Sequence, residues 1–406
     1  MTDDSGPLRV AYVLLRPPGH SETFISAEMR ALRAAGASVE AFVASAGGGR
    51  RAEAATVLRA LTHRPVRLLR HARALGLSYG MRAWLAAAHA IALSRPVAAF
   101  RPDVVHAHFV NVPVAIAVLV ARDLGAPVTA TAHAADFLLE TDVGALRRRI
   151  ARLSHLFVIS AATARQLADK GVPMPAIPHG VVRAAFDGVV APRRRAGTGP
   201  AGGGATRLVT VARLIDKKGV DTAIDAVARL VEAGLEVRYD VYGDGPLQPE
   251  LEHRAETRGV GAAVTFHGAV PHEVAMGALA AADIAVLPCR PGADGDLDGI
   301  PVFLMEAAGR GVPVITTAIS GIPELVAADG GWLVPPDDPA AVATAARQAL
   351  DDPAEAARRA GVLAARVVAE FAPGLQAERL IRQWGQLAGH AVADDADPAP
   401  AVRRWS

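Results

Sequence analysis

The chain has 406 residues, a formal net charge of +2 and a composition that is 51% hydrophobic but only 4% aromatic. That length exceeds one ordinary α/β core and points to two domains, with interiors built mainly from Ala, Val and Leu. A single cysteine, Cys289, excludes internal disulfides and a thiolate zinc site, and fits a reducing compartment.

The N-terminus, MTDDSGP, is acidic and lacks the basic start and small-residue cleavage site of a secretory signal. No uninterrupted run of about 20 apolar residues follows, so no transmembrane helix is expected. Residues 9–15 read as a strand and 22–35 as a helix closed by Gly36. The joining loop, PPGHSE, offers Gly19 for a close turn and Ser21 as a cap, and the helix N-terminus would favour a phosphate. Further short apolar strands fall at 39–44, 104–107, 128–131 and 156–159. Helical segments between several of them predict a parallel sheet covered on both faces.

Between Glu53 and Asp103 there is no acidic residue but eight arginines. Arg64, Arg67, Arg70 and Arg73 recur at every third position beside Leu68, Leu69, Leu75 and Leu77. Two readings stay open, a basic ridge for an anionic membrane surface and a solvated face of an ordinary helix. No nucleic-acid-binding module accompanies the charge, so nucleic acid is not an expected partner.

Residues 189–206, with APRRRAGTGPAGGGAT, read as a flexible linker. A second α/β half follows, with strands at 208–211, 237–242, 264–266, 284–287, 314–315 and 331–334. Helices are expected at 219–232, 247–257, 271–281, 301–308 and 339–350, then a long helical stretch to about Gln386 interrupted near Pro373.

Four blocks carry candidate chemistry. In VTVARLIDKKGVD, Arg213 and Lys218 follow a strand end, where open α/β sheets bind ligands and where a diphosphate needs cationic donors. They also read as solvated loop residues without that context. In VYGDGPL, Gly243 and Gly245 would let backbone approach a base or ribose closely, although the full G-x-G-x-x-G fingerprint is absent. In DGDLDGIPVFLMEAA, Gly299, Ile300 and Pro301 open a helix whose amides suit an anion or sugar hydroxyls. Asp298 could accept from sugar hydroxyls and Glu306 hold a ribose. Their separation, about 12 Å if helical, is wide for a hydrolase pair. Asp294, Asp296 and Asp298 copy the start of a calcium loop, but position 305 is Met305 where the bidentate glutamate belongs, and Asp294 and Asp296 read as a solvated acidic loop. In TAHAADF, His133 and Asp136 follow another strand end, and His133 could donate to a sugar hydroxyl. His106 and His108 resemble a metal pair but lack nearby partners of suitable spacing, and are assigned mainly to packing and supporting hydrogen bonds.

In order along the chain, PPGHSETFISAEM, HAHF, TAHAADF, VISAAT, PHGV, ARLIDKKGVD, VYGDGPL, FHGAV and DGIPVFLMEAAGRGVPVITTAISGIPELV resemble family 4 of the retaining glycosyltransferases. SETFI and GIPVFLMEA look closest to its bacterial exopolysaccharide and capsule branch. The resemblance implies a GT-B fold, two Rossmann-like α/β domains whose parallel sheets face a central cleft. It divides the chain into an acceptor-binding domain at 1–188, the linker at 189–206 and a nucleotide-sugar domain at 207–379. A helix at 380–390 crosses back to the first domain, before a disordered tail at 391–406.

The same resemblance implies that Arg213 and Lys218 neutralise a UDP- or GDP-sugar diphosphate, that Glu306 binds ribose and that His133 lies near the transferred sugar. The acceptor would be a glycan, a lipid-linked sugar or a small molecule; no metal or other cofactor is expected. The implied location is cytoplasmic, with peripheral attachment at the inner face of the plasma membrane as the further option. Asp298 stands where the family pattern normally has glutamate, which leaves the sugar unassigned. Competing expectations are a GT-B phosphorylase, sugar-phosphate synthase or epimerase, and a non-enzymatic scaffold.

Overall fold

The computed structural model describes residues 6–19, 23–45, 49–76, 80–183, 186 and 204–390. His20, Ser21 and Glu22, Leu77, most of the expected linker and the tail 391–406 lie outside the described residues. The chain forms two compact units, Met1–Arg183 with Pro373–Ser406, and Ala184–Ala372.

The first unit runs β1 (Arg9–Leu14), α1 (Thr23–Ala34), β2 (Ser38–Val43), α2 (Gly49–His63), α3 (Pro65–Leu75), α4 (Met81–Phe100), β3 (Val104–His108) and α5 (Val112–Leu124). It continues with β4 (Val128–Ala132), α6 (Ala134–Leu138), α7 (Val143–Ile150), β5 (His155–Val158), α8 (Ala161–Asp169) and β6 (His179–Val181). The six strands form one parallel sheet in the order β2-β1-β3-β4-β5-β6. The strand β6 was not expected, because HGV is too short and polar to stand out. Strands β3 and β4 are buried at every position, as a sheet with both faces covered requires. In α1, Ile25, Met29 and Leu32 repeat at helical spacing and form its buried stripe.

The second unit runs β7 (Thr206–Val211), α9 (Val220–Glu232), β8 (Val237–Tyr242), α10 (Gln248–Thr257), β9 (Val264–Gly268), α11 (His272–Ala281) and β10 (Ile284–Leu287). After it come α12 (Val302–Gly309), β11 (Val314–Thr317), α13 (Ile322–Val326), β12 (Trp332–Val334), α14 (Pro339–Asp351) and α15 (Pro353–Arg366). Its parallel sheet has the order β12-β11-β10-β7-β8-β9. Leu208, Ile224, Val227, Tyr239, Val241, Ile284 and Ile315 form part of its core. Thr206 already pairs with Val237 and is buried, so the linker stops short of the expected residue 206.

The last helix, α16 (Pro373–Ala388), belongs to the first unit and packs on α1. The return begins at Pro373 rather than at residue 380, after a π-type turn at Val367–Phe371. Proline cannot continue the preceding hydrogen-bond ladder but fits a first helical turn, which places the break there. Ala377, Leu380 and Trp384 then join Val10, Tyr12, Leu14, Ile25 and Leu32 in one apolar cluster. At the other boundary Phe186 is buried in the core of the second unit, inside the residues expected to close the first domain.

Helix α4 is long and apolar enough to cross a membrane by length and composition, where no such helix was expected. Its alanines Ala86, Ala87, Ala88 and Ala90 are buried, and it packs against α3 and α5.

Candidate functional site

Ligands of open parallel sheets bind beyond the strand carboxyl ends, where the strand order reverses. In the second unit that point lies between β7 and β10, so the loops following these two strands are the candidate ligand-binding loops. The first carries Arg213, Lys217 and Lys218; the second carries Arg290 and residues 294–301.

The two loops are joined by charge. Lys218 donates to Asp298 Oδ2 at 2.6 Å, and Lys217 lies 3.3 Å from Asp298 Oδ1 and 2.7 Å from Asp296 Oδ2. The side chains of Lys218 and Asp298 are only 15% and 13% exposed. Burial alone would raise the Asp298 carboxyl, but Lys218 and Lys217 outweigh it and hold it below the usual range. Burial likewise opposes the Lys218 charge, and Asp298 more than restores it. Asp296 is therefore an ion-pair partner of Lys217, correcting its reading as a solvated loop residue.

Arg290, which sequence reasoning missed, ties the loops further. It donates to Asp216 at 3.0 Å, to Asp221 at 2.8 Å and to Asp337 at 2.9 Å, while its amide bonds the Lys217 carbonyl at 3.0 Å. Cys289 directs its thiol at Asp298 Oδ2 from 3.4 Å, and burial, then the Asp298 charge, push this thiol well up. Arg213 is exposed and makes no ion pair among the described residues.

The glycines divide by cause. A Cβ on Gly243, whose φ is +123°, would come within 2.0 Å of the Ala212 carbonyl oxygen, and one on Gly245 within 2.3 Å of the Leu214 oxygen. Their missing side chains make room for the β7 loop. Gly19 has open space over its α-carbon among the described residues and no positive φ. Gly299 and Ile300 are buried, and the Gly299 carbonyl accepts from the Gly321 amide. Pro301 caps α12 from outside with an extended backbone instead of opening it. Glu306 is buried on α12, with Oε1 3.6 Å from His272 Nε2.

In the first unit the strand order reverses between β1 and β3, and β3 ends in His106 and His108. Glu28 enters from α1: Tyr12 donates its hydroxyl to Glu28 Oε1 at 2.6 Å, and His108 Nε2 lies 3.0 Å from the same oxygen. His108 Nδ1 is 3.1 Å from His133 Nε2. Below them, His106 Nδ1 meets Thr129 Oγ1 at 2.9 Å and its Nε2 meets Thr131 at 3.3 Å. Trp384 of α16 donates its indole N–H to Thr129 at 2.9 Å.

The histidine pair thus has the carboxylate partner it was expected to lack. Glu28, His106 and His108 offer ligand atoms within 4.8 Å of one another, and Glu28 Oε1 and the ring nitrogens of both histidines take part in the hydrogen bonds just described. Burial raises Glu28, yet His108 and Tyr12 outweigh it and keep the carboxyl below its ordinary value. Burial, reinforced by His108, holds His133 well below the usual histidine range. Asp136 accepts the amides of Val110 and His133 and is nevertheless raised to about 7 by burial.

The basic ridge is split. Arg67 turns inward to Asp123 and Ser94, the latter at 2.8 Å, and Arg70 reaches Asp123 at 3.5 Å while 60% exposed. Arg67 therefore fits neither a membrane-facing nor a freely solvated ridge, because its guanidinium compensates a largely buried carboxylate.

Two family profiles match the chain in the order of its two sheets: Glycosyltransferase Family 4 over residues 21–184 and Glycosyl transferases group 1 over residues 205–352. WcaL of Escherichia coli (strain K12), ascribed to colanic acid biosynthesis as a glycosyltransferase, is 45% identical over 137 residues, 34% of either chain. The chain thus aligns with about a third of the length of this relative. Glycogen synthase of Mycobacterium tuberculosis is 31% identical over 286 residues, 67% of this chain and 66% of that protein. Among solved structures, Anabaena HepE in complex with UDP and glucose superposes with a TM-score of 0.67 at 16% identity, covering 93% of this chain and 99% of that one. The fold is GT-B, with two parallel-sheet Rossmann-like units, and the chain belongs to glycosyltransferase family 4.

Proposed function

We propose that this protein transfers a sugar from a UDP- or GDP-activated donor to a glycan, lipid-linked or small-molecule acceptor, with retention at the anomeric carbon. The observation that carries this reading is the Lys217–Lys218–Asp298 cluster at the strand-order reversal of the second sheet, beside exposed Arg213. An arriving diphosphate competes with Asp298 for the Lys218 ammonium and recruits Arg213 as a second cation. That exchange frees a carboxylate able to accept from sugar hydroxyls, so one cluster serves phosphate and sugar. Glu306 is the proposed ribose contact, and its buried place on α12 supports a fixed orientation.

As the nucleoside diphosphate leaves, negative charge grows beside Arg213 and Lys218. The acceptor hydroxyl attacks from the same face and a phosphate oxygen takes its proton, so catalysis rests on positioning and fixed charge. Cations supplied by the chain make a divalent metal unnecessary in this scheme. Kinship with WcaL and the solved HepE complex support a polysaccharide acceptor and a UDP-linked donor, respectively.

A panel of nucleotide sugars and defined acceptors, with and without EDTA, tests the reaction. Turnover that resists EDTA, with a product retaining the donor's anomeric configuration by NMR, is expected. Inversion, or consumption of donor without sugar transfer, refutes it.

An anionic membrane is the proposed location of the acceptor side. Leu58, Val66 and Met81 are 61%, 80% and 85% exposed within the acid-free stretch, among Arg59, Arg64, Arg70 and Arg73. On α3, Val66, Leu69, Arg70 and Arg73 share one outward stripe, opposite buried Leu68, Ala72 and Leu75. Co-sedimentation with phosphatidylglycerol vesicles should weaken with salt and with Arg70→Ala/Arg73→Ala; binding indifferent to both removes the membrane.

A further inference from the structure

Two adjacent lysines of the second unit reach the Asp298 carboxylate, and they are not equivalent. Lys218 has one carboxylate partner, Asp298 Oδ2 at 2.6 Å. Lys217 has two, Asp296 Oδ2 at 2.7 Å and Asp298 Oδ1 at 3.3 Å. The two ammonium groups thus meet Asp298 on separate oxygens. Asp296 in turn depends on Lys217, since its Oδ1 is buried without a hydrogen-bond partner and it pairs with no other cation among the described residues. Withdrawing Lys217 would strand Asp296 as a largely buried carboxylate with no counter-charge. Withdrawing Lys218 strands nothing, because Asp298 still has Lys217. A buried charge left without its partner is costly, so an arriving diphosphate recruits Lys218 and leaves Lys217 in place.

The backbone holds Lys217 as well. Its carbonyl accepts the Arg290 amide at 3.0 Å. Asp216, which precedes it, accepts from Arg290 Nε at 3.0 Å and from the Ala293 amide at 2.9 Å. Gly219, which closes the turn, has a φ of +62°, and a Cβ there would come within 2.0 Å of the Pro288 carbonyl oxygen. The turn is therefore clamped to the segment leaving β10, and its backbone cannot shift unless that segment moves with it. Lys218 needs no backbone shift to change partner, only rotation of its flexible four-carbon stem.

We infer that Lys217 and Asp296 are positioning residues: Asp296 retains Lys217 on Asp298 while the donor diphosphate takes Lys218, so that Asp298 stays an ionised acceptor with Oδ2 released to a sugar hydroxyl. This rests on the donor reading proposed above and gives the two neighbouring lysines opposite tasks. Lys218 moves to the phosphate, and Lys217 stays with the carboxylate on the sugar side. Without Lys217, the departure of Lys218 would leave Asp298 buried beside the Cys289 thiol, 3.4 Å from Oδ2, and no other cation pairs with it among the described residues. Burial then favours the protonated carboxyl. A protonated carboxyl donates through one oxygen, where the ionised group accepts on both, so the contact with the sugar changes polarity.

Protons taken up on nucleotide binding read this arrangement directly. The full-length protein is titrated calorimetrically with UDP and with GDP at pH 7.5, in HEPES and in Tris, whose different ionisation heats give the proton count. Relative to wild type, Lys217→Met should take up as much as about one extra proton per nucleotide bound. Lys217→Arg, which keeps the charge, should not. Adding Asp298→Asn to Lys217→Met should abolish the extra uptake. If Lys217→Met fails to fold, Lys217→Met/Asp296→Asn removes the stranded carboxylate with its partner and should show the same uptake. Asp296→Asn alone lets Lys217 follow Lys218 to the phosphate and should also show uptake; none there removes Asp296 from the role. A wild-type proton count in both Lys217→Met and the Lys217→Met/Asp296→Asn variant, or uptake that persists with Asp298→Asn, overturns the inference. A wild type that binds neither nucleotide overturns the inference and the donor reading together. The expected proton counts without sugar transfer refute the proposed reaction instead and leave the roles of Lys217 and Asp296 standing.

Discussion

The two units place charge at the reversal points of their sheets in opposite ways. In the second, cations and carboxylates are matched as ions, Lys218 with Asp298 and Arg290 with Asp216, Asp221 and Asp337, and Arg213 stays open to solvent. In the first, one carboxylate and two histidines, Glu28, His108 and His133, form a buried hydrogen-bond chain beneath which α16 inserts Trp384. An ion cluster is exchangeable, since an incoming anion can replace one partner with another. A buried hydrogen-bond chain is not exchangeable in that way, because its members are coupled and moving one disturbs the next. The second arrangement can exchange partners with an arriving anion; the first holds its side chains in a fixed geometry.

The contrast is most sharply tested where the first unit depends on its borrowed helix. Trp384→Ala removes a fully buried indole and leaves Thr129 without its donor. A loss of about 3–5 kcal/mol is expected, confined to the first unit, with nucleotide binding by the second preserved at low temperature. Denaturant unfolding monitored by hydrogen exchange checks it; equal loss of protection in both units would break the comparison.

Next in size is Lys218→Ala, which leaves Asp298 with Lys217 alone and should cost about 2 kcal/mol together with most transfer activity. Adding Asp298→Ala should restore part of the stability but none of the activity. Full additivity in a thermal double-mutant cycle would mean that the pair is not coupled.

Acid should separate the units. Buried His106 and His133 are held well below the usual range, and His155 falls to about 4, in each case chiefly by burial. Unfolding lets these rings take protons near pH 6.5, so their contribution is complete above that pH and is lost as the pH falls toward their folded values. Asp136, raised to about 7, works the other way, since the folded state keeps its proton between about pH 7 and pH 4. Three histidines against one carboxyl leave the first unit net acid-sensitive. In the second unit Asp216, Asp225 and Asp298 are lowered, so their contribution persists until the pH falls through about 4. Hydrogen exchange at pH 5 should show the first unit opening first; simultaneous opening contradicts the assignment.

The smallest effect distinguishes the two faces of α3. Arg67→Ala should cost about 1 kcal/mol because Asp123 loses a close partner, whereas Arg73→Ala should leave the melting temperature unchanged and weaken vesicle binding.

Much of this was legible in the chain. Fully buried strands such as VVHAH and VTATA announce themselves as short apolar runs between helical segments, and ten or more such runs specify two parallel sheets. Lys218, Asp298 and His133 were visible because strand ends are where open sheets bind ligands. Glu28 had a signal that was passed over: it interrupts the stripe of Ile25, Met29 and Leu32, and a carboxylate on an apolar stripe needs a buried partner. Arg290 had none, since its three aspartates lie 74, 69 and 47 residues away in sequence.

The sequence by itself therefore determined the element order, the two-unit architecture and the family, because periodicity and strand-end chemistry are local properties. Tertiary structure decided which ions pair, why Gly243 and Gly245 lack side chains, where α16 docks and which groups meet the ring nitrogens of His108. Those features depend on distances of 2–4 Å between groups from separate strands and helices, and no local pattern encodes them. The Glu28–His108–His133 chain is the extreme case: its members come from α1, the end of β3 and the start of α6, which share neither an element nor a sequence neighbourhood.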